Sequence, residues 1–393
     1  MLNIIDKRLC TGCGACVNAC PKHIIRLCDD REGFLYPVVD HEKCINCNLC
    51  EKSCPMQKEV VHTTETDKKY PQFYAGQLRC KDDLWDVSSG GAFWAFAETI
   101  IDNGGIVYGA VQENVDIITH IRAEDIEGIK RMRRSKYFQS DTCQTFRKVK
   151  EDLGNGKLVL YSGTGCQIAG LTSFLGRSFN NLYTCEVVCH GVPSRKVWKA
   201  YRKEKEEHEG KRIIDLVFRD KTIGWSRNQY KITYQDGSIE RERSIRQLFH
   251  AGYLSGLFYR PSCGCCRFAS LPRVSDITLA DYWKYKGRFL QLASDLGVSL
   301  ITINSNKGYD LLSKSSNYLD YEDTERGLAL DSCRHLDEYP IENPDREAFF
   351  KLFFEKGYFA AAQKYIVFTE KRTITHRLKG LIKRLFKLVN NYR

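Results

Sequence analysis

No segment of the chain holds eighteen or so uninterrupted apolar residues, so no membrane-spanning helix is expected. Residues Met1-Leu2-Asn3-Ile4-Ile5-Asp6 carry neither a basic n-region nor an apolar h-region, and no secretory signal is expected. There is no low-complexity stretch. Apolar residues make up 42% and aromatics 12%, a composition that excludes a disordered protein. The 393 residues suffice for two or three domains with a substantial core. Cysteine, by contrast, is plentiful. Eighteen cysteines without an export signal point to a reducing, cytoplasmic setting where thiolates serve metals and redox chemistry.

The formal charge of +11 raises the question of nucleic acid. The basic residues are dispersed, however, and the densest group lies at the extreme C terminus. Anionic metal clusters would also cancel part of the excess. A solvated charged surface accounts for it, and no nucleic-acid partner is expected.

Two cysteine runs organise the reading. Cys10, Cys13, Cys16 and Cys20 precede Pro21; Cys44, Cys47, Cys50 and Cys54 precede Pro55. Each has the form C-x2-C-x2-C-x3-C-P, the bacterial ferredoxin pattern for two 4Fe-4S clusters, in which the fourth cysteine crosses to the other cluster. The expected sets are Cys10, Cys13, Cys16 and Cys54, and Cys44, Cys47, Cys50 and Cys20. Each proline turns the chain so that the preceding sulfur points away from its own loop. Gly12 and Gly14 allow the backbone to curl close to inorganic sulfide. Zinc, which prefers paired C-x2-C knuckles, and a disulfide framework are the competing readings.

Residues 1–60 therefore form a ferredoxin-like module, with Gly33 to Val39 reading as a turn and then a strand, and Cys28 as an ordinary buried cysteine. From Val60 to Pro71 the composition shifts to Thr, Glu, Asp and Lys, and a linker is placed at 61–75. An α/β pattern follows over 76–330. Helices are expected at Gly90–Ile101, Cys166–Leu175 and Arg195–Glu209, and strands at Ile106–Val111, Lys157–Tyr161, Leu182–Val188, Ile213–Arg219, Gln229–Tyr234, Ile239–Arg243 and Val298–Ile303. Such alternation predicts a parallel or mixed sheet covered by helices. The fold class is thus α+β joined to α/β, ending in a helical region over 331–393.

In open α/β sheets ligands collect beyond the carboxyl ends of strands. Three glycine-bearing loops could share such a crevice: Ser88 to Gly91, Ser162 to Gln167, and Cys189-His190-Gly191. The first two could offer N–H groups and hydroxyls to a phosphate, although Ser-Ser-Gly-Gly is also an ordinary cap and turn. Cys166 stands at a predicted helix start, where the helix dipole favours a thiolate. With Cys189 and the C-x2-C pair Cys263 and Cys266 it could complete a four-thiolate site; spacing alone slightly favours buried structural cysteines.

The chain resembles the beta subunit of coenzyme F-420 hydrogenases and dehydrogenases, in the version found with bacterial polysaccharide genes. The resemblance covers nearly all of 1–300. It rests on the twin cysteine runs, Gly33-Phe34 with Tyr36-Pro37, Ser89-Gly90-Gly91, Ser135-Lys136-Tyr137 and Gly163-Thr164-Gly165-Cys166-Gln167-Ile168. Further along it rests on Cys189 to Ser194, Arg260-Pro261-Ser262-Cys263, Cys266, and Ser275 to Trp283. It implies a flavin-binding α/β domain with FAD and a third 4Fe-4S cluster on Cys166, Cys189, Cys263 and Cys266. Ser89, Gly90, Gly91, Ser135, Lys136 and Tyr137 would lie near the flavin, with Gly163, Thr164 and Gln167 among the cofactor-binding residues. Two departures stand out: Gly165 replaces the family's usual proline, and Cys265 beside Cys266 makes the fourth ligand ambiguous.

On this reading Lys136 would face the negative charge of a reduced flavin or its phosphates, against an ordinary surface lysine. His190 would donate a proton to a reduced substrate, against a structural histidine. Tyr137 and Trp283 would stack on the flavin or sit in the core; Asp276 and Asp281 would orient loops. The expected activity passes electrons between 4Fe-4S clusters and FAD, then exchanges a hydride with a small organic molecule, either a deazaflavin or a polysaccharide-pathway compound. A redox partner protein or ferredoxin would supply electrons. The alternative is a non-catalytic electron-relay module serving a separate enzyme. Lys371 to Arg393 carries eight Lys or Arg and no acid, with apolar residues at helical spacing. It reads as a helix packed on the protein or as a peripheral membrane contact.

Overall fold

The computed structural model describes residues 6–58, 69–287 and 296–366. The basic C-terminal stretch 371–393, and most of the expected linker, lie outside the described residues. Among the described residues no helix is long and apolar enough to cross a membrane.

A short hairpin, β1 (Ile25–Asp29) against β2 (Leu35–Val39), separates the two cysteine runs and pairs in antiparallel register. The main body is an eight-stranded mixed sheet. Its strands are β3 (Gln72–Leu78), β4 (Ile106–Gln112), β5 (Ile118–Ala123), β6 (Val159–Thr164), β7 (Leu182–Val187), β11 (Ile277–Asp281), β12 (Ser299–Ile303) and β13 (Leu319–Asp323), in the spatial order β13-β3-β12-β11-β7-β6-β4-β5. The central strands β4, β6, β7 and β11 run parallel, while β5, β12, β3 and β13 close both edges antiparallel. Between β7 and β11 the chain makes a separate three-stranded antiparallel sheet, β8 (Ile213–Asp220), β9 (Gln229–Tyr234) and β10 (Ile239–Arg243), with Asp236-Gly237 at the tip of its hairpin.

The helices follow local signals. Helix Ala92–Asp102 starts from Gly91 in the left-handed region and buries Trp94, Phe96 and Ile100. Helix Arg195–Glu209 is capped by the Ser194 hydroxyl, which accepts from the Val197 N–H at 3.1 Å, and stops at Gly210 with φ +65°. Such a cap contributes about 1 kcal/mol.

Three expectations change. The linker expected over 61–75 cannot reach residue 75, because β3 begins at Gln72 and lies inside the sheet. Residues Ser162 to Thr164, expected as a phosphate-binding loop, are the last three residues of β6, paired with Cys185, Glu186 and Val187. The strand feeds directly into helix Gly165–Leu175, leaving no intervening loop. Helices Arg346–Lys356 and Tyr358–Tyr365, expected within a separate C-terminal region, supply Phe349, Phe353, Tyr358 and Ala361 to one core with Trp198, Tyr201 and Phe249.

Candidate redox site

The N-terminal module is built into the body of the protein. The Asn18 amide donates to the Cys143 carbonyl at 3.0 Å, and Arg147 Nε donates to the Asn18 carbonyl at 2.6 Å. Gln139 Nε2 donates to the Thr11 carbonyl at 2.8 Å, and the Thr142 hydroxyl donates to the Cys13 carbonyl at 3.2 Å. Gly12 and Gly14 take φ values of +67° and +83°; a Cβ on Gly14 would stand 2.1 Å from the Thr142 hydroxyl. Only glycine fits that turn and that approach.

The sulfurs gather as two crossed sets. Cys13 is pushed up to about 12 by burial, with further contributions from Cys166, Cys10 and Cys54. Cys16 is raised by burial and then by Cys13, Cys10 and Cys54. Cys54 therefore faces the first run, as the crossing pattern requires. Cys20 correspondingly lines a recess together with Cys44, Cys47 and Cys50. The two sites differ in setting. Cys13 is buried and held within the protein, whereas the second loop is exposed at Ile45, Asn46, Cys47, Asn48 and Leu49. These two sets fit two clusters: eight thiols, four per site, on turns that enter the left-handed region at Gly12 and Gly14 in the first run and at Asn46 and Asn48 in the second, so that backbone can close on a cubane. Among the described residues no three His, Cys, Asp or Glu side chains close on a single metal ion; a cubane instead takes each sulfur on its own iron.

A further group of thiols lies behind the first set. Thr164 and Val187 are paired at the carboxyl ends of the parallel strands β6 and β7, and Cys166 and Cys189 stand two residues beyond the end of each strand. The Val192 N–H donates to Cys263 Sγ at 3.4 Å, and Pro193 bridges to Tyr259, drawing the 189–193 and 259–266 segments together. Burial raises Cys263 well above its ordinary value, followed by Cys189, Cys266 and Cys166. Burial likewise pushes Cys189 to about 11 and Cys266 to about 12, with Cys166 among the causes for both. Cys266, not Cys265, belongs to this group: Cys265 is exposed, its sulfur directed to the carbonyls of Arg8, Pro261 and Ser262. Burial raises the pKa of Cys166, against the lowering by the Thr164 hydroxyl at 3.2 Å and by the Arg260 charge. Gly165 also has a local reason, since a Cβ there would lie 2.8 Å from Glu186 Oε2.

The residues expected near a flavin are brought together, but most of their donors are engaged. The hydroxyls of Ser88 and Ser135 are 2.8 Å apart, joining the two loops. Ser89 Oγ donates to the Val298 carbonyl at 2.7 Å, and the Gly90 N–H donates to Ser299 Oγ at 3.0 Å. A Cβ on Gly90 would come 2.3 Å from the Gly76 carbonyl, and one on Gly91 2.4 Å from Leu78, so strand packing already requires both glycines. Gln167 Oε1 accepts from the Thr164 N–H at 3.0 Å in the first turn of its helix, and its amide donates to Ser140; a Cβ on Gly163 would stand 3.0 Å from Gln167 Oε1. Lys136 Nζ donates to the carbonyls of Met132 and Arg133 at 2.7 and 2.6 Å, and burial lowers it to about 7.

His190 is held at about 4 by burial and then by His335, so at neutral pH it is uncharged; its buried Nε2 has no partner. Tyr137 packs edge-on against Phe218, His250 and Tyr253 at 4.9, 5.2 and 5.5 Å, while Trp283 stacks on Trp225 at 4.3 Å. Asp276 ties Thr184 on β7 to Ser305, and Asp281 forms a two-point pair with Arg219 at 2.8 and 3.2 Å.

Three buried groups were not singled out from the sequence. Lys221 donates to the carbonyls of Leu84, Ser89 and Leu296 at 2.6, 2.8 and 2.6 Å, clamping the Ser88–Gly91 loop. His250 is buried with neither ring nitrogen bonded. Glu186 and Arg273 form a fully buried ion pair beside Cys189 and Cys266. Nothing local marks them, because their partners lie far along the chain.

Residues 156–326 match the family model for the C terminus of the coenzyme F420 hydrogenase/dehydrogenase beta subunit, and residues 9–58 match the 4Fe-4S dicluster domain. A solved structure, the F420-reducing NiFe hydrogenase complex from Methanosarcina barkeri in its xenon derivative, is similar at 14% identity and a TM-score of 0.44, covering 76% of this chain and 95% of that one. No curated protein matches. The two matched regions make this an iron–sulfur electron-transfer protein of the oxidoreductase kind. Residues 156–326 thus carry the C-terminal region of the coenzyme F420 hydrogenase/dehydrogenase beta subunit family, behind a 4Fe-4S dicluster domain at residues 9–58.

Proposed function

We propose that this protein is an iron–sulfur flavoprotein oxidoreductase. Electrons pass from an external protein donor, through two N-terminal 4Fe-4S sites and a third on Cys166, Cys189, Cys263 and Cys266, to FAD, and from there to a small organic substrate. The supporting observation is the adjacency of the thiol groups: Cys166 acts on Cys13 of the first set and on Cys189, Cys263 and Cys266 of its own. A bound flavin would accept electrons one at a time from the clusters and hand them on in pairs as a hydride, which is what this direction of transfer needs.

The chain's own residues divide the remaining tasks. The exposed loop from Ile45 to Leu49 offers an apolar contact for a redox partner beside the outer site. Cys189 and Cys263 lie beside Tyr253, which contacts both Tyr137 and His250. That row leads from the third thiol group toward the Ser88 and Ser135 loops, where the flavin is proposed. His250, buried and unpaired, has two ring nitrogens available for a hydrogen bond at that end. Arg219, held by Asp281, supplies a fixed positive charge close to His250. The substrate class remains a deazaflavin or a polysaccharide-pathway compound. A cytoplasmic location, with 371–393 against the inner membrane face or packed on the protein, completes the proposal.

A second reading is favoured by the saturation of the glycine loops. Ser89, Gly90, Thr164 and Gln167 already spend hydrogen bonds within the protein. In that reading no flavin is held and the chain relays electrons to a partner enzyme. Anaerobic reconstitution with FAD decides between them. Bound flavin that a diffusible small molecule re-oxidises supports the enzyme; no bound flavin, with turnover only when a partner protein is added, supports the relay.

A further inference from the structure

Arg260 is fully buried and sits where the N-terminal module meets the sheet domain. Its Nε donates to the Cys10 carbonyl at 2.9 Å, Nη2 to the Leu35 carbonyl at 2.8 Å, and Nη1 to Gln139 Oε1 at 3.2 Å. Nη2 also lies 3.6 Å from Cys10 Sγ, and the guanidinium carbon is 4.3 Å from the centre of the Tyr36 ring. Among the described residues no carboxylate pairs with it. Arginine does not give up its proton, so a full positive charge is enclosed here. A buried cation without a counter-charge is strongly unfavourable. The anionic groups within its reach are sulfurs: Cys10 of the first set, and Cys166, whose thiolate it favours.

We propose that Arg260 is the internal counter-charge of the cluster on Cys10, Cys13, Cys16 and Cys54, shared with the Cys166 site, and that it raises that cluster's reduction potential above that of the outer cluster. This rests on the dicluster reading of residues 9–58. Adding one electron increases a cluster's negative charge by one while no bond forms or breaks and no proton moves. A fixed cation in a low-dielectric setting therefore favours the reduced form. Three ligands of the outer set, Cys44, Cys47 and Cys50, instead follow a loop open to water, where solvent and salt screen any nearby charge. One electron delivered by a reductant to the outer cluster then moves downhill to the buried one. Arg260 is thus a positioning residue that gives the path its inward direction.

The test is an anaerobic redox titration, followed by electron paramagnetic resonance, of the full chain reconstituted with iron and sulfide, with iron counted on the same samples and dithionite as reductant. Four proteins are compared: the wild type, Arg260→Lys, Arg260→Gln, and Gln139→Glu, which sets a carboxylate against the intact guanidinium. Arg260→Gln and Gln139→Glu are expected to shift the one-electron equilibrium of the inner cluster at least tenfold toward the oxidised form, about 59 mV. Arg260→Lys should shift it far less, and none should move the outer cluster. Loss of inner-cluster iron in the two neutralising variants, with retention in Arg260→Lys, also supports the counter-charge. Full iron with unchanged potentials in Arg260→Gln and Gln139→Glu overturns the proposal. So does an equal shift, or equal loss of iron, in Arg260→Lys. Absence of iron from the wild-type inner site would instead defeat the dicluster reading itself.

Discussion

Gly170, in the middle of helix Gly165–Leu175, lies directly against Cys13: a Cβ added there would stand 2.9 Å from Cys13 Sγ and 3.1 Å from its Cβ. The helix that begins beside the candidate third site thus forms the wall of the first. Phe146 is the next neighbour of that Cβ, at 3.5 Å. Gly170→Ala should destabilise the protein by about 1–3 kcal/mol through overpacking. It should also alter the spectrum of the inner cluster and leave that of the outer one unchanged. Denaturant midpoints and low-temperature spectra of the reconstituted variant check both effects.

The crossing of the fourth cysteines gives a paired prediction. Cys54→Ser should remove the inner cluster, whose other ligands are Cys10, Cys13 and Cys16, and spare the outer one. Cys20→Ser should do the reverse. Spectra of the two reduced variants, with iron counted, distinguish this from uncrossed ligation, in which each substitution would remove the cluster of its own run.

The Glu186–Arg273 pair is enclosed between β7 and the loop before β11, and the Thr278 hydroxyl donates to Glu186 Oε1 at 3.0 Å. Arg273→Met would strand a buried carboxylate, and breaking such a pair costs about 3–5 kcal/mol. A matching fall in the denaturation midpoint is expected. A double variant with Glu186→Gln should recover part of the loss, because the stranded charge is then gone.

His120 gives the pH dependence. Burial lowers its pKa to about 4; Nε2 is 2.9 Å from the Ser162 carbonyl and Nδ1 is unpaired. The unfolded chain takes up a proton below about 6.5 and the folded protein does so only below about 4, so stability falls as pH drops through that window. The loss is on the order of 3 kcal/mol for this residue. His120→Gln should flatten the decline of the midpoint between pH 7 and 5 relative to the wild type. An unchanged slope would show that the imidazole takes up its proton in the fold as readily as in solution.

Much of this was legible in the sequence, for reasons that are local. The cysteine spacing with its two prolines points to a 4Fe-4S dicluster domain by itself, and helix Arg195–Glu209 announces both ends through Ser194 and Gly210. The strands that were missed carry contrary signals. β3 contains Gly76 and a buried Gln77 whose amide donates to the Gly297 carbonyl at 2.7 Å. β13 is the charged edge sequence Leu-Asp-Tyr-Glu-Asp, and β5 includes His120 and Arg122. Gly90 and Gly91 read as cofactor glycines, yet contacts with Gly76 and Leu78 explain them first. Arg260 and Lys221 could not be singled out at all. Each is defined by carbonyls more than seventy residues away, which only the assembled fold brings within reach.

Iron content of the anaerobically reconstituted wild type, beside a Cys166→Ser, Cys263→Ser double variant, tests the proposed electron path most directly. The path predicts about twelve iron atoms per chain in the wild type and about eight in the variant, three cubanes falling to two. About eight in both proteins would contradict it, leaving an N-terminal dicluster module with no iron bridge into the sheet domain.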